Sequence, residues 1–302
     1  MGATYSIVSF ILGFMCLFVG LFLLRWALQS LIGNKTENIL TTLTNSPMTG
    51  VLTGILLTTI LQSSSIVLIV ILNLVSVGAL PILNAVAIVL GANLGTSLTL
   101  EFIAFSNPSW VYILIIVSSL FYIFKKRLQS AVFLALGLLL VGFEFLKRNA
   151  SILDGIIVVT NNSILENTFA LLAGIIFTAI VQSSTASTTF VMTLVENQLL
   201  TLVAGVLFVY GSNIGTCITS VIAVIGASIH AKKIMLYHVA INILCVVILL
   251  PIVPLLVAAV EYITPNAAQQ IAHSQVIFNL LTIVIFYPFI RKHIRLLNKI
   301  YN

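Results

Sequence analysis

The chain has 302 residues, of which 60% are hydrophobic and 7% charged, with a mean hydropathy of +1.22 and a formal net charge of +6. Soluble globular domains carry about 25% charged residues, so this composition excludes a soluble fold and points to burial in a bilayer. Basic loops on one membrane face account for the positive balance, and no nucleic-acid partner is called for.

Apolar runs of about 20 residues, long enough to cross roughly 30 Å of hydrocarbon, recur along the chain. The first, 6–28, contains "SIVSFILGFMCLFVGLFLLR". It has no basic n-region and no small-residue cleavage site, so it reads as a retained helix. The segment 47–76 is apolar but carries Gln62, Ser63, Ser64 and Ser65 at its centre. Its length falls between the roughly 20 residues of one crossing and the roughly 40 of two, which fits a re-entrant hairpin turning at the polar residues. Irregular backbone at that depth is tolerated where protein or a water-filled cavity surrounds it. Helices are predicted at 81–105, 110–124 and 130–146. A second hairpin is predicted at 168–196, around Gln182, Ser183, Ser184 and Thr185. Helices at 201–228, 234–257 and 269–290 follow, then a basic cytoplasmic tail, 291–302. The expected fold is an all-α polytopic membrane protein, with residues 1–302 forming a single transmembrane transporter-like domain.

The chain repeats itself. "GILLTTILQSSS" at 54–65 returns as "GIIFTAIVQSST" at 174–185, and "GANLGTSLT" at 91–99 returns as "GSNIGTCIT" at 211–219, both at an offset of 120 residues. A fainter match pairs "CLFVGLFLLR" with "LLLVGFEFLK". Repeat 1 spans 6–124 and repeat 2 spans 130–257. With the N-terminus outside and each hairpin returning to its own side, eleven basic residues fall inside: Arg25, Lys35, Lys125, Lys126, Arg127, Lys232, Lys233, Arg291, Lys292, Arg295 and Lys299. Lys147 and Arg148 fall outside. This bias supports a multi-pass cell-membrane protein with a cytoplasmic C-terminus. Each repeat then has an odd number of crossings, so the two are inverted and the hairpin tips meet near the midplane, as in secondary transporters.

The "GxNxGT" elements read as helix breaks. Glycine permits unwound backbone, and Asn93 or Thr96 in one copy, Asn213 or Thr216 in the other, can cap the restarting half-helix. Unwound carbonyls suit a hard cation such as Na⁺, and the restarting N-terminus suits an anion. Serine and threonine hydroxyls accept toward a cation and donate toward an anion. No Lys or Arg neighbours either motif along the sequence, so an anion would be held by backbone, hydroxyls, amides and a co-bound cation. Its binding would then depend on the cation, which is the basis of symport. The competing use of such small polar residues is close helix packing. Glu101 reads either as a cation-attracting vestibule residue or as an interfacial carboxylate, and Tyr210 as packing. Cys16, Cys217 and Cys245 stand singly in apolar runs, and the histidines show no ligand spacing.

"TTILQSSS" and "TAIVQSST", each followed by its "GxNxGT" element, resemble the sodium/phosphate cotransporter family, bacterial relatives of the type II renal and intestinal transporters, over about residues 10–290. The resemblance implies Na⁺-coupled movement of inorganic phosphate by alternating access, with Na⁺ as coupling ion and no organic cofactor. By the motif match, Gln62, Ser63, Ser64 and Ser65 line the site with Gln182, Ser183, Ser184 and Thr185, and Na⁺ takes an unassigned subset of the site residues. Thr185 departs from the family's serine but keeps the hydroxyl, and Ile66 stands where the family favours alanine. Many bacterial members add a domain like the PhoU regulator, and none is seen in this sequence, so regulation by such a domain in cis is not expected. Another oxyanion or a dicarboxylate is the alternative substrate. An anion channel, or a serine hydrolase using Ser63 or Ser183, is the alternative class. A hydrolase needs a base, and His230, His238, His273 and His293 lie near predicted segment ends, away from both motifs in sequence. A non-enzyme is therefore expected. Homo-oligomerisation, stoichiometry and transport direction stay open.

Overall fold

The computed structural model describes residues 2–33, 35–105, 107–154 and 163–300. It is all-α among these residues, and seven helices are long and apolar enough to cross a membrane. The first half comprises α1 (Gly2–Ile32), α2 (Lys35–Leu43), α3 (Pro47–Leu61), α4 (Ser64–Ser76), α5 (Ile82–Phe105) and α6 (Trp110–Ile123). The second comprises α7 (Arg127–Asn149), α8 (Ser163–Val181), α9 (Ser184–Glu196), α10 (Leu202–Gly215), α11 (Cys217–Ala223), α12 (Ile229–Leu249) and α13 (Val253–Ile263). The chain closes with α14 (Ala267–Phe286) and α15 (Ile290–Ile300).

Both expected hairpins form. α8 has the length to cross, but the chain reverses after it, as it does after α3. Gln62 and Gln182 sit in the left-handed region, at φ 53° and 54°. Ser63 and Ser183 follow in extended backbone, and each side chain accepts the N–H three residues on, from Ile66 and Ala186. A left-handed residue ends one helix and a serine N-cap starts the next, which is a complete helix–turn–helix signal. At the base of the first hairpin, Ser76 Oγ meets Ser228 Oγ at 2.8 Å, at the N-cap of α12. At the base of the second, Glu196 pairs with Lys147 at the end of α7.

The duplication also governs packing. A methyl group on Gly54 would overlap the carbonyl oxygen of Ile88, and one on Gly91 that of Val51; one on Gly95 would lie 2.6 Å from Ile55 O. In the second half Gly174 meets Phe208 O, Gly211 meets Leu171 O, and a methyl on Gly215 would lie 2.5 Å from Ile175 O. The six pairs are the same three, displaced by 120 residues. Backbone therefore touches backbone between α3 and α5, and again between α8 and α10, and only glycine permits it.

This corrects the expected break in 81–105. α5 runs unbroken through Gly91, Asn93, Gly95 and Thr96. The glycines serve close approach, and Thr96 Oγ1 donates back to Asn93 O at 2.8 Å without capping a new helix. The second copy has a one-residue interruption at Thr216, whose φ and ψ of −63° and −20° stay helical. The predicted helix 234–257 is divided by a 3₁₀ turn at Leu250–Ile252, where Pro251 lacks the donor that would continue α12. The tail 291–302 is helical as α15 through Ile300.

Candidate functional site

The two hairpin tips come together. One small cavity, of about 10 Å³, is lined by Gln62, Ser63, Ser64, Ser65 and Thr96 from the first copy, Gln182, Ser183, Ser184, Thr185 and Thr216 from the second, and Arg25 from α1. Ten of the twelve predicted site residues thus share one wall. The eleventh, Asn93, lines an adjoining cavity of about 10 Å³ with Ser64, Ser65, Thr216, Thr219 and His238. Asn213 lines neither; it is buried against α14.

Arg25 is the residue that sequence reasoning missed. Its Nε donates to Gln62 O at 3.1 Å and its Nη2 to Ser183 Oγ at 3.3 Å, so one guanidinium bridges both tips. The expectation of a site without basic side chains is therefore corrected. An arginine at the end of an apolar run reads as a membrane-edge anchor, and its approach to residues 62 and 183 exists only in three dimensions. Arg25 is half-buried, and no carboxylate pairs with it among the described residues. A desolvated guanidinium without a counter-charge is costly, so such a position favours an anion.

The two copies hold their amides differently. Gln62 is half-buried: its Oε1 accepts from Thr99 Oγ1 and its Nε2 donates to Thr59 O. Gln182 is exposed, and no side-chain hydrogen bond fixes it among the described residues. Asn93 Nδ2 donates to Asn242 Oδ1 at 3.3 Å, and Asn242 in turn donates to His238 O at 2.8 Å. With its amide nitrogen held on α12, Asn93 keeps Oδ1 free of any partner among the described residues. Asn213 is spent at both ends: its Nδ2 donates to Gln275 Oε1 at 3.1 Å and its Oδ1 accepts from Gln275 Nε2 at 3.0 Å. Across the repeats, Ser65 Oγ and Thr219 Oγ1 lie 3.1 Å apart. The adjoining cavity is therefore rimmed by neutral oxygens from Ser65, Thr219 and Asn93, a donor set that suits a small hard cation.

His238 lies within α12, close to Ser64 and Ser65, although no histidine neighbours either motif in sequence. Its Nδ1 contacts Ser220 Oγ at 3.1 Å. Ser63 and Ser183 face no histidine among the described residues, and each caps its own helix. Glu101 contacts His273 Nδ1 at 2.9 Å, joining α5 to α14, and lines neither tip cavity. Tyr210 is fully buried, and its ring centre lies 4.6 Å from that of Phe278. No group of three or more potential metal ligands from His, Cys, Asp and Glu occurs among the described residues.

Comparison with known proteins matches residues 8–148 and 156–285 to the Na⁺/Pi-cotransporter family. The uncharacterized protein YqeW of Bacillus subtilis (strain 168) is 32% identical over 305 residues, covering 97% of each chain. The "Putative inorganic phosphate export protein YjbB" of Escherichia coli (strain K12) is 23% identical over 90% of this chain, but this match spans 51% of that protein. The sodium-dependent phosphate transport protein 2A of Rattus norvegicus is 37% identical over 100 residues, which are 32% of this chain and 16% of that one. No solved structure matches the chain. Its hairpins, its duplicated glycine contacts and these matches agree: the chain is a membrane protein of the Na⁺/Pi-cotransporter family, a family of phosphate transporters.

Proposed function

We propose that this protein moves inorganic phosphate across the cell membrane with Na⁺ as coupling ion, by alternating access around the two hairpin tips. The observation that carries the reading is Arg25, a half-buried cation with no carboxylate partner among the described residues, bonded to both tips. Phosphate presents several acceptor oxygens in a geometry that a guanidinium matches. The tip cavity has room for one water-sized sphere, so a phosphate enters only if Arg25 releases Gln62 O or Ser183 Oγ. The anion would replace those acceptors, which exchanges a bond between the tips for bonds to substrate. Na⁺ takes the adjoining cavity at Ser65, Thr219 and Asn93, next to the phosphate. Its charge offsets that of the anion, so each ligand raises the affinity of the other. The N-terminus lies outside and the C-terminus in the cytoplasm. YjbB is named for phosphate export, and a symporter's direction follows the gradients that drive it, so both directions belong in the assay.

The test is uptake of labelled phosphate into proteoliposomes, with and without a Na⁺ gradient of either sign, and with sulfate as competitor. Na⁺-dependent phosphate movement that sulfate does not suppress is expected, and movement indifferent to Na⁺ removes the coupling. Arg25→Gln should cost at least about tenfold in phosphate transport, the lower end for a hydrogen bond to a charged group. Arg25→Lys should retain part of the activity, since charge remains and the fork is lost. Full activity in Arg25→Gln moves the anion site elsewhere.

A further inference from the structure

α14 has 20 residues, which at 1.5 Å per residue is about the thickness of the hydrocarbon core. The chain leaves it through a 3₁₀ turn containing Pro288 and re-enters helix as α15, which therefore starts at the level of the membrane surface. One side of α15 seats on the protein through Ile290 and Leu297, both buried, with His293 and Ile294 half-buried beside them. Asn298 Oδ1 accepts from Lys233 Nζ at 2.9 Å, tying α15 to the start of α12. The opposite side carries Arg291, Lys292, Arg295 and Lys299, and α15 has no acidic residue. Between the two sides, Leu296 and Phe289 are 58% and 54% exposed.

These cations differ from the pair at the end of α7. Lys147 pairs with Glu196 and Arg148 with Glu144, so that cluster is internally neutral. None of the four exposed cations of α15 has an ion-pair partner among the described residues. An unpaired basic row beside an exposed apolar edge, at the depth of lipid headgroups, is the pattern of an interfacial helix.

We propose that α15 is a binding surface for anionic phospholipid headgroups. Arg291, Lys292, Arg295 and Lys299 meet the phosphates, and Leu296 and Phe289 reach the acyl boundary. Because Ile290 and Leu297 pack on the transporter body, lipid charge also fixes how α15 sits against it.

The experiment is native mass spectrometry of the purified protein in detergent, titrated with phosphatidylglycerol or phosphatidylcholine of matched chains. The wild type should retain phosphatidylglycerol preferentially. Replacing all four cations (Arg291→Gln, Lys292→Gln, Arg295→Gln, Lys299→Gln) should abolish the preference, with an unchanged melting temperature in detergent as the folding control. Arg295→Gln and Lys299→Gln singly should each weaken retention by up to about fivefold, so the proposal stays testable if the quadruple variant misfolds. Lys147→Gln with Arg148→Gln should leave the preference intact. Equal retention of the two lipids by the wild type overturns the proposal. So does an unchanged preference in the α15 variants, or salt-reversible capture of a soluble acidic protein through α15 in place of lipid.

Discussion

Asn93 and Asn213 occupy the same place in two copies of one element, yet the fold uses them differently. Asn213 is locked into a reciprocal amide pair with Gln275, whereas Asn93 is held by its nitrogen and keeps its oxygen available. The glutamines divide too: Gln62 is tied to Thr59 and Thr99, and Gln182 is exposed. Duplication supplied two equivalent frames; α12 and α14, outside the motifs, made the asparagines inequivalent, and Thr99 holds Gln62 while its counterpart Thr219 turns to Ser65 and Thr216. A site built this way can offer one cavity to an anion and a neighbouring one to a cation.

Four experiments test this inequivalence of the two halves, and the most drastic outcome concerns the inversion itself. Single cysteines at Lys35 and Lys125 should react with a membrane-impermeant thiol reagent only from the cytoplasmic side, and one at Asp154 only from outside. Labelling of positions 35 and 154 from one side removes the inverted pair.

The amides come next. Gln182→Ala should abolish Na⁺-dependent transport with little loss of stability, because no side-chain hydrogen bond fixes it among the described residues. Gln62→Ala should abolish it as well and also destabilise the protein by about 1–3 kcal/mol, by stranding Thr99 and Thr59. Normal transport in both variants places the substrate elsewhere, and equal thermal stability contradicts the difference between the tips.

For the asparagines, Asn93→Ala should raise the Na⁺ concentration for half-maximal transport at least about tenfold, having removed a ligand oxygen. Asn213→Ala should instead lower the melting temperature by leaving Gln275 unpaired, with the Na⁺ dependence nearly unchanged. Reversed outcomes would put the cation in the other half. The smallest effect is at Thr185, which is buried in the tip cavity wall. Thr185→Ser should keep transport within a fewfold, while Thr185→Val should lower apparent affinity by about tenfold. If packing is its role, the order inverts, because Val fills the space and Ser leaves a void.

Much of this was readable from the chain. The hairpins were, because about 30 residues fit neither one crossing nor two, and a polar centre repeated at a fixed offset has little use outside a turn. The glycines were readable in position but not in purpose. Gly91 and Gly95, and again Gly211 and Gly215, stand four apart, which is the spacing of close helix packing, and α5 runs through its pair unbroken. Arg25 and the helices that hold Asn93 and Asn213 lie outside the repeated motifs. Asn242, Gln275 and His238 are isolated polar residues in apolar runs, and only the packing of α12 and α14 gives them partners.

The left-handed glutamines have a further consequence. Glycine would occupy that backbone freely, whereas a residue with a Cβ gives up about 1–2 kcal/mol there. Both tips nonetheless carry an amide. At 62 the bonds to Thr59 and Thr99 offset that cost, but at 182 no side-chain bond among the described residues does. A selection for thermal tolerance alone would therefore drift to glycine at 182 and return a sturdier protein with one tip stripped of its amide.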